Sequence, residues 1–353
     1  MTARLRIGAC LSLSGRFAQF GQQAARGLDA WRSLDCAADV LVEDDRSDRR
    51  ELEELLPGVA AHCDLLLGPY STQLMRTAGK MAAQSGWLAW NHGGSGDDVE
   101  GAHPGHVVSV LTPTSRYAEP FLRHVVSEDD SRELVIVHGA GSFGRQVADG
   151  AEKIGRQLGI RTSRADADGP FPPPVGVPEE WDLFSAGVFE QDADLVSKAL
   201  RSSRPPRQVC TIAAGVREFG RVIGDPEGVF GIAQWFTGSS HEVLLGPAED
   251  DFLRAYPGTT PDYPAVQAAA GAMIAVHCAR LTGGVAREGL WAAAAALDTS
   301  TLFGGFRIDP RSGTQVKHQT VLVRWAGGQP SPWPTGWREV AALHAAKLTK
   351  EAS

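Results

Sequence analysis

The sequence lacks the basic charge surplus and the uninterrupted apolar run that mark two large classes of protein. Its 353 residues carry 34 Lys and Arg against 42 Asp and Glu, a formal net charge of −8. Because a nucleic-acid-binding surface needs basic side chains to neutralise phosphates, nucleic acid is not predicted as a partner. The longest apolar segment, Ala265 to Leu281, is interrupted by Gln267, His277 and Arg280. It is therefore predicted to be a buried helix, and no membrane insertion is expected.

The five cysteines have neither the spacing of a metal site nor the even count of a complete disulfide framework. Cys10, Cys210 and Cys278 lie in apolar stretches, where we expect reduced thiols that act as small hydrophobic side chains. No metal or cofactor is predicted. Residues 1–4 lead straight into an apolar strand without a hydrophobic leader or cleavage site. The protein is expected in the cytoplasm as the sequence is written, or outside it if a leader was removed.

What the sequence does contain is a regular alternation of strand-like and helix-like segments. Hydrophobic residues make up 43% and charged residues 22%, as in ordinary globular proteins, and the length suits two domains. The alternation predicts an α/β fold with a doubly wound parallel sheet in each domain, the second series beginning at Glu133. Two closing segments, Phe303 to Ile308 and Gln319 to Trp325, are predicted to pair as a hairpin. The proline-rich run from Asp168 to Pro174 is predicted to be an extended surface connection.

Two polar turns follow neighbouring strands in the stretch from Cys63 to Asp98. The first strand ends at Gly68-Pro69, and Ser71 or Thr72 can cap the helix that follows it. The second strand ends at Trp90. The turns are formed by Tyr70, Ser71 and Thr72 and by His92, Gly93, Gly94 and Ser95. Because ligands bind at the carboxyl edge of open α/β sheets, where helix starts offer free N–H groups, we predict that these turns bind an anion or a carbonyl group.

A glycine pattern after the first strand of the second series suggests another class of protein. Gly139 to Gly144 reads G-x-G-x-x-G between a strand and a helix, which is the setting of a dinucleotide-binding loop. The acidic residue expected at the end of the next strand is absent, because the segment from Ile160 to Arg164 contains none and Asp166 falls too late. A dinucleotide-dependent enzyme remains the alternative. A serine nucleophile at Ser95 is disfavoured because Asp97 occupies the last glycine position of the G-x-S-x-G pattern.

Two further groups of side chains fall at predicted strand ends. The acidic run Glu43-Asp44-Asp45 could attract a cation, but the neighbouring arginines favour a solvated or salt-bridged loop. Several aromatic residues suggest an apolar-lined ligand cleft, although each of them could equally belong to a core. These aromatic residues are Phe20, Tyr70, Trp90, Phe143 and Phe189.

The order and spacing of several segments resemble one known family. These segments are LSLSGRFAQFGQQAARG from Leu11, VEDDRSD from Val42, GPYSTQ from Gly68, NHGGS from Asn91, VHGAGSFGRQ from Val137, PEGVFGIAQW from Pro226, FRIDPRSGT from Phe306 and VLVRW from Val321. The chain is similar to the type I periplasmic binding proteins, specifically the leucine/isoleucine/valine-binding proteins of branched-chain amino acid ABC transporters. The likeness covers nearly the whole length.

The resemblance implies two doubly wound lobes joined by three hinge crossings. The N-terminal lobe would comprise residues 1–115 and 238–310, the C-terminal lobe 116–237 and 311–346, and residues 347–353 would form a tail. It also implies a non-catalytic protein that closes its cleft on an amino-acid-like, amide or carboxylate ligand and delivers it to an ABC transporter permease. A cytoplasmic ligand sensor that acts on a regulator protein, like the amide-sensing regulators of the same fold, is the alternative role.

The resemblance also assigns ligand-binding positions. Thr72 and Ser95, with Ser71 adjacent, match hydroxyls that hold a carboxylate, and the Gly93 carbonyl matches one that helps to hold an ammonium. Phe20 and Phe143 match aromatic ligand contacts, and Phe189 lies beside the position of Val188. Val188 and Ala214 stand where amino-acid receptors have a tyrosine and a glutamate. Since a buried ammonium without a carboxylate is strongly penalised, this departure favours an acid or amide ligand unless Glu190 or Glu218 replaces the missing carboxylate.

Overall fold

The computed structural model describes residues 4–34, 38–128, 133–171, 179–239 and 242–334. The chain forms two compact units and passes between them three times. The first comprises Met1–Pro113 and Thr237–Gln319, and the second comprises Thr114–Phe236 and Thr320–Ser353. Residues 311–319, predicted for the C-terminal lobe, thus belong to the first unit. Pro172 to Pro174 of the proline-rich run, and the predicted tail, lie outside the described residues.

Strands and helices alternate along most of the chain. Its first stretch contains β1 (Leu5–Leu11), α1 (Ala18–Leu34), β2 (Ala38–Asp44), α2 (Arg49–His62), β3 (Leu65–Leu67), α3 (Thr72–Ser85), β4 (Ala89–Asn91), α4 (Asp98–Gly101) and β5 (Val107–Ser109). The second contains α5 (Glu119–Glu128), β6 (Glu133–His138), α6 (Ser142–Gln157), β7 (Arg161–Asp166), β8 (Asp182–Ala186), α7 (Phe189–Leu200), β9 (Val209–Thr211), α8 (Glu218–Ile223) and β10 (Phe230–Ala233). The third stretch, Thr237–Gln319, contains α9 (Glu249–Ala255), α10 (Tyr263–Thr282), α11 (Arg287–Ala296), β11 (Thr299–Thr301) and β12 (Gly304–Phe306). The fourth stretch, from Thr320 onward, contains β13 (Val321–Ala326) and β14 (Gln329–Pro332).

The first unit contains a five-stranded parallel sheet in the order β2-β1-β3-β4-β5. Helix α10 is apolar on all sides, and 15 of its 20 residues are buried. It packs closely on α1, since a Cβ added to Gly27 would lie 2.1 Å from the Ala265 carbonyl oxygen. No single helix in the described ranges is long and apolar enough to cross a membrane, and α10 with α11 passes such a test only as a pair bent by 108°.

The second unit contains a seven-stranded sheet in the order β14-β13-β10-β9-β8-β6-β7. The strands from β10 to β7 run parallel, while β13 is antiparallel to both β10 and β14. Apolar side chains cover both faces of this sheet, with Phe121 and Phe184 in one cluster and Trp181 and Phe219 in the other. The described part of this unit thus forms a doubly wound α/β domain, as predicted.

Three sequence predictions about individual elements are wrong. The closing hairpin does not form, because β12 pairs with β11 while β13 enters the second sheet beside β10. Phe189 does not end a strand; it begins α7, and β8 stops at Ala186. Strand β7 continues to Asp166, because it pairs with β6 along its whole length.

The described cysteines are free thiols, and Cys36 lies outside the described residues. Burial raises the pKa of Cys10 and of Cys278 to about 12, so both thiols stay protonated at neutral pH.

Candidate functional site

The two polar turns of the first unit are joined to each other by backbone hydrogen bonds. The Ser71 amide donates to the Gly93 carbonyl at 2.9 Å, and the Gly68 amide donates to the Trp90 carbonyl at 2.9 Å. A Cβ added to Gly93 would lie 2.6 Å from the Pro69 carbonyl oxygen, so a larger residue would push the turns apart. The structure therefore brings the turn after β3 and the turn after β4 into contact, as predicted for neighbouring strand ends.

Asn91 is the side chain that shapes the second turn. Its Oδ1 accepts hydrogen bonds from the Gly93 amide at 3.2 Å and the Gly94 amide at 2.8 Å. Its Nδ2 donates to the Gly94 carbonyl at 2.6 Å. Asn91 is fully buried, so these bonds are shielded from water. The sequence analysis did not assign a role to Asn91, although an Asn two residues before a glycine can shape a turn by bonding the backbone two residues on.

The three hydroxyls of the turns are used differently. Ser71 caps α3, because its Oγ accepts a hydrogen bond from the Leu74 amide at 3.3 Å. Thr72 Oγ1 accepts a hydrogen bond from the Gly96 amide at 3.1 Å, which ties α3 to the second turn. Ser95 is 7% exposed, and its hydroxyl makes no hydrogen bond with the residues that the structure describes. The proton of the Thr72 hydroxyl and the whole Ser95 hydroxyl are thus available to a ligand.

An aromatic cluster stands beside the first turn. The rings of Phe20 and Tyr70 are stacked, with centroids 4.7 Å apart, and Phe17 approaches the same Tyr70 ring at 6.1 Å. The Tyr70 hydroxyl lies 3.1 Å from the Tyr263 hydroxyl at the start of α10. Phe20, Tyr70 and Tyr263 are all half-buried. Two predicted contact residues, Phe20 and Tyr70, therefore form one apolar surface beside the hydroxyl groups.

His92 is buried completely, and neither of its ring nitrogens has a partner at hydrogen-bonding geometry within the described part of the chain. Its Cβ lies against Gly271 of α10, where an added Cβ would be 3.6 Å away. Burial lowers the pKa of His92 to about 4, against smaller raising effects of the Gly68 and His92 backbone. The ring is therefore neutral at neutral pH and out of contact with solvent.

The acidic run after β2 supports a loop by hydrogen bonds to backbone amides. Asp44 accepts hydrogen bonds from the Leu13, Ser14 and Arg46 amides and from the Ser14 hydroxyl. Together these four bonds lower the pKa of Asp44. Asp45 is fully buried and accepts from the Ser12 hydroxyl and the Ser47 amide. The prediction of a solvated or salt-bridged loop is therefore wrong at Asp45. The described part of the chain holds no cluster of three His, Cys, Asp or Glu side chains placed for a metal ion.

The predicted contacts of the second unit lie in different settings. Phe143 is half-buried and meets Tyr117 edge to face, at 6.0 Å between ring centroids. Val188 is 42% exposed and precedes α7, whose first residue, Phe189, is half-buried. Ala214 is fully buried, and its carbonyl accepts a hydrogen bond from the Trp325 indole at 2.8 Å. The methyl of Ala214 is therefore core, and Val188 is the more accessible position.

The carboxylates considered as substitutes at those positions have other surroundings. Glu218 is paired with Arg221 at 2.6 Å, and Glu190 is exposed in the first turn of α7. The buried carboxylate near these loops is Asp192, which the sequence analysis missed. It accepts hydrogen bonds from the Ser185 and Thr211 hydroxyls and from the Gly187 and Ala213 amides. These four donors satisfy Asp192, so it holds the loops after β8 and β9 in place.

The glycine loop of the second unit is explained largely by packing. A Cβ added to Gly144 would lie 2.7 Å from the carbonyl oxygens of Ala186 and Gly139, and one added to Gly139 would lie 2.9 Å from Gln191 Oε1. Only Gly141 has open space around it. The missing acidic residue is present after all, since Asp166 ends β7 opposite His138. One argument against a dinucleotide loop is thereby removed, but the Gln191 side chain covers Gly139.

Comparison with known proteins finds similarity in structure alone. No protein-family model matches the chain, and no curated protein sequence matches it. A leucine-binding protein LivK from Thermotoga maritima superposes with a TM-score of 0.76 at 13% identity, covering 94% of this chain and 98% of its own. A branched-chain amino acid transporter substrate-binding protein LivJ from Streptococcus pneumoniae, solved with isoleucine, gives 0.74 at 14% identity over 94% and 99%. An ABC transporter solute-binding protein from R. palustris, solved with benzoate, gives 0.75 at 16% identity over 94% and 95%. The chain therefore has the fold of the type I periplasmic binding proteins.

Proposed function

We propose that this protein is a non-catalytic solute-binding protein that holds a small carboxylate at the paired turns of its first unit. The observation that carries the proposal is the convergence of Thr72, Ser95 and the start of α3 at one sheet edge, fastened by the Ser71–Gly93 hydrogen bond. The N-terminus of a 14-residue helix favours negative charge, and the two hydroxyls are donors for carboxylate oxygens.

The stacked Phe20–Tyr70 pair narrows the ligand to a carboxylate with an apolar or aromatic body. An aromatic ring beside these side chains would bury apolar surface and gain ring-to-ring contacts. The positions that the resemblance pairs with an ammonium carry Val188 and Ala214, neither of which can neutralise a positive charge. A neighbour solved with benzoate and another solved with isoleucine supply the two probes that separate these ligand classes.

As a transport component, the protein would deliver such an acid to an ABC transporter permease. Solute-binding proteins of ABC transporters are its structural neighbours, and this supports transport as the role. The permease is thus a proposed partner of this protein.

Calorimetric titration with benzoate, benzamide and isoleucine tests the ligand class. We expect benzoate to bind more tightly than benzamide, because the turns favour a negative charge, and more tightly than isoleucine, because the positions that the resemblance pairs with an ammonium carry Val188 and Ala214. Thr72→Ala combined with Ser95→Ala should abolish both the binding and the thermal stabilisation by benzoate. Ser85→Ala, an exposed hydroxyl at the other end of α3, is the matched control. Unchanged stabilisation of the double variant would refute the assignment of these two hydroxyls.

A further inference from the structure

A buried polar cluster is hydrogen-bonded to the second turn and does not include the hydroxyls of Thr72 and Ser95 that we propose as ligand donors. Glu100 on α4 is 3% exposed, and Ser109 at the end of β5 is 1% exposed. The Ser109 hydroxyl donates a hydrogen bond to Glu100 Oε1. Asn91 Nδ2 lies 3.2 Å from the same Glu100 oxygen and 2.5 Å from Ser109 Oγ. The side chain that shapes the turn is therefore also a member of this cluster.

The hydrogen-bonding capacity of Asn91 makes the cluster and the turn interdependent. Its amide nitrogen carries two N–H groups but has three acceptors within reach: the Gly94 carbonyl, Glu100 Oε1 and Ser109 Oγ. An ionised Glu100 attracts an N–H group more strongly than a neutral one, because charge-assisted hydrogen bonds are about twice as strong as neutral ones. The charge on Glu100 thus competes with the Gly94 carbonyl for the groups that hold the turn.

The second carboxylate oxygen shows that an ionised Glu100 is only half compensated. Glu100 Oε2 is buried and has no hydrogen-bond partner among the residues that the structure describes. A buried anion without full compensation also repels an anion nearby, and the Asn91 amide nitrogen contacts both Glu100 Oε1 and the Gly94 carbonyl. The competition for the Asn91 N–H groups and the repulsion between negative charges would both weaken the binding of a carboxylate at the turn.

We propose that Asn91 and Glu100 are positioning residues for the ligand turn, and that loss of the Glu100 proton weakens the binding of an anionic ligand there. The inference rests on the proposed function for the identity of the ligand, but its account of the turn concerns the free protein. Ligand binding would then be coupled to protonation of Glu100, because the carboxylate binds best while Glu100 is neutral.

The surroundings of Glu100 place this change near neutral pH. Burial raises the pKa of Glu100 to about 7, against lowering by the Ser109 hydroxyl, the Glu100 backbone amide and the Asn91 side chain, and Asp97 raises it slightly further. Other charged groups on the neighbouring segments are Asp98, Arg76, Lys80, His103 and His106. Arg76 is paired with Asp98 at 2.8 Å. Burial lowers the pKa of His103, and His106 and Lys80 beside it lower it further. Strand β5 contributes no charged residue.

Benzoate binding measured by calorimetry at pH 6 and pH 8 tests the ligand half of the inference. If only the neutral form of Glu100 binds, a group with a pKa of about 7 weakens apparent affinity about tenfold over this interval. Glu100→Gln, which cannot ionise, should change less than twofold. Glu54→Gln removes an exposed carboxylate of the same unit and should keep the wild-type pH dependence. A Glu100→Gln protein that binds benzoate with the wild-type pH dependence overturns the inference and leaves the proposed function standing.

Hydrogen exchange of the ligand-free protein tests the turn without any ligand. After correction for the intrinsic pH dependence of exchange, protection of the Gly93 and Gly94 amides should fall between pH 6 and pH 8 in the wild type and stay constant in Glu100→Gln. Asn91→Ala should lose this protection at both pH values. If no protein binds benzoate at either pH, the proposed function fails and exchange alone decides: equal protection in wild type and Glu100→Gln at both pH values would overturn the positioning role.

Discussion

The ring of Phe20 lies flat against the ring of Tyr70, with 4.7 Å between centroids and 9° between planes. The pair joins α1 to the turn before α3, so the first helix of the chain contributes to the candidate site. We expect Phe20→Ala to weaken benzoate binding about two- to tenfold, the equivalent of one lost aromatic contact. Phe20→Leu keeps much of the apolar volume, so its benzoate affinity should lie between those of the wild type and Phe20→Ala. Calorimetry is the measurement, and wild-type affinity in Phe20→Ala would exclude this pair from the site.

Ser71 occupies a backbone conformation that suits glycine, with φ 88° and ψ 145°. Such a residue stores about 1–3 kcal/mol of strain, while Gly caps a helix nearly as well as Ser. Ser71→Gly should therefore raise the free energy of unfolding by about 1 kcal/mol, whereas Ser71→Ala should lower it because the cap is lost and the strain remains. Urea unfolding measures both. Equal or lower stability of Ser71→Gly would contradict the strain.

His92 should make the protein less stable in mild acid. Its pKa is depressed from 6.5 to about 4, so between these values the unfolded chain binds a proton that the folded chain does not. Stability from this group is intact above pH 6.5 and is lost as the pH falls towards 4, by about 3 kcal/mol in total. His92→Leu should show a smaller loss over that interval than the wild type in urea unfolding. His62→Gln, at an exposed histidine, is the control, and parallel curves for all three proteins would count against the prediction.

The glycine loop of the second unit offers a matched pair of variants. Gly144→Ala places a methyl 2.7 Å from two carbonyl oxygens and should destabilise the protein by about 1–3 kcal/mol. Gly141→Ala meets no atom within 4 Å and has an ordinary φ of −68°, so it should cost only the preference for Gly over Ala at the start of α6, about 0.5–1 kcal/mol. Tryptophan fluorescence with NADH separates packing from cofactor binding. Saturable NADH binding that Gly141→Ala removes would restore the dinucleotide alternative.

The sequence was sufficient for the parts of the fold that depend on local patterns. Strand–helix alternation predicted the parallel sheets, and the hydroxyls after Gly68-Pro69 predicted a cap of α3 at Ser71 or Thr72, which Ser71 provides. The closing hairpin failed because β13 pairs with the distant β10, while β12 pairs with β11, an unpredicted strand immediately before it. Length and alternation alone cannot choose between such partners.

Two buried carboxylates, Glu100 and Asp192, could not be assigned from the sequence for a different reason. Glu100 follows Asp97 and Asp98 and reads as part of a solvated acidic segment, yet it is buried because α4 packs against α3 and β5. Asp192 also lies in an acidic helix start and becomes buried only when the loops after β8 and β9 close around it. Burial of a single carboxylate is a tertiary property, and a polar neighbourhood in sequence hides it.

The contact between Gly27 and Ala265 has a consequence for biosynthesis. Helix α1 is among the first segments to leave the ribosome, but its close-packed partner α10 emerges only after the whole second stretch of the chain. Until then the surface around Gly27 lacks its covering helix, so the first unit cannot complete its core during early synthesis. A nascent chain stalled before residue 263 should therefore be sensitive to protease within α1, and one released after residue 319 should resist cleavage there.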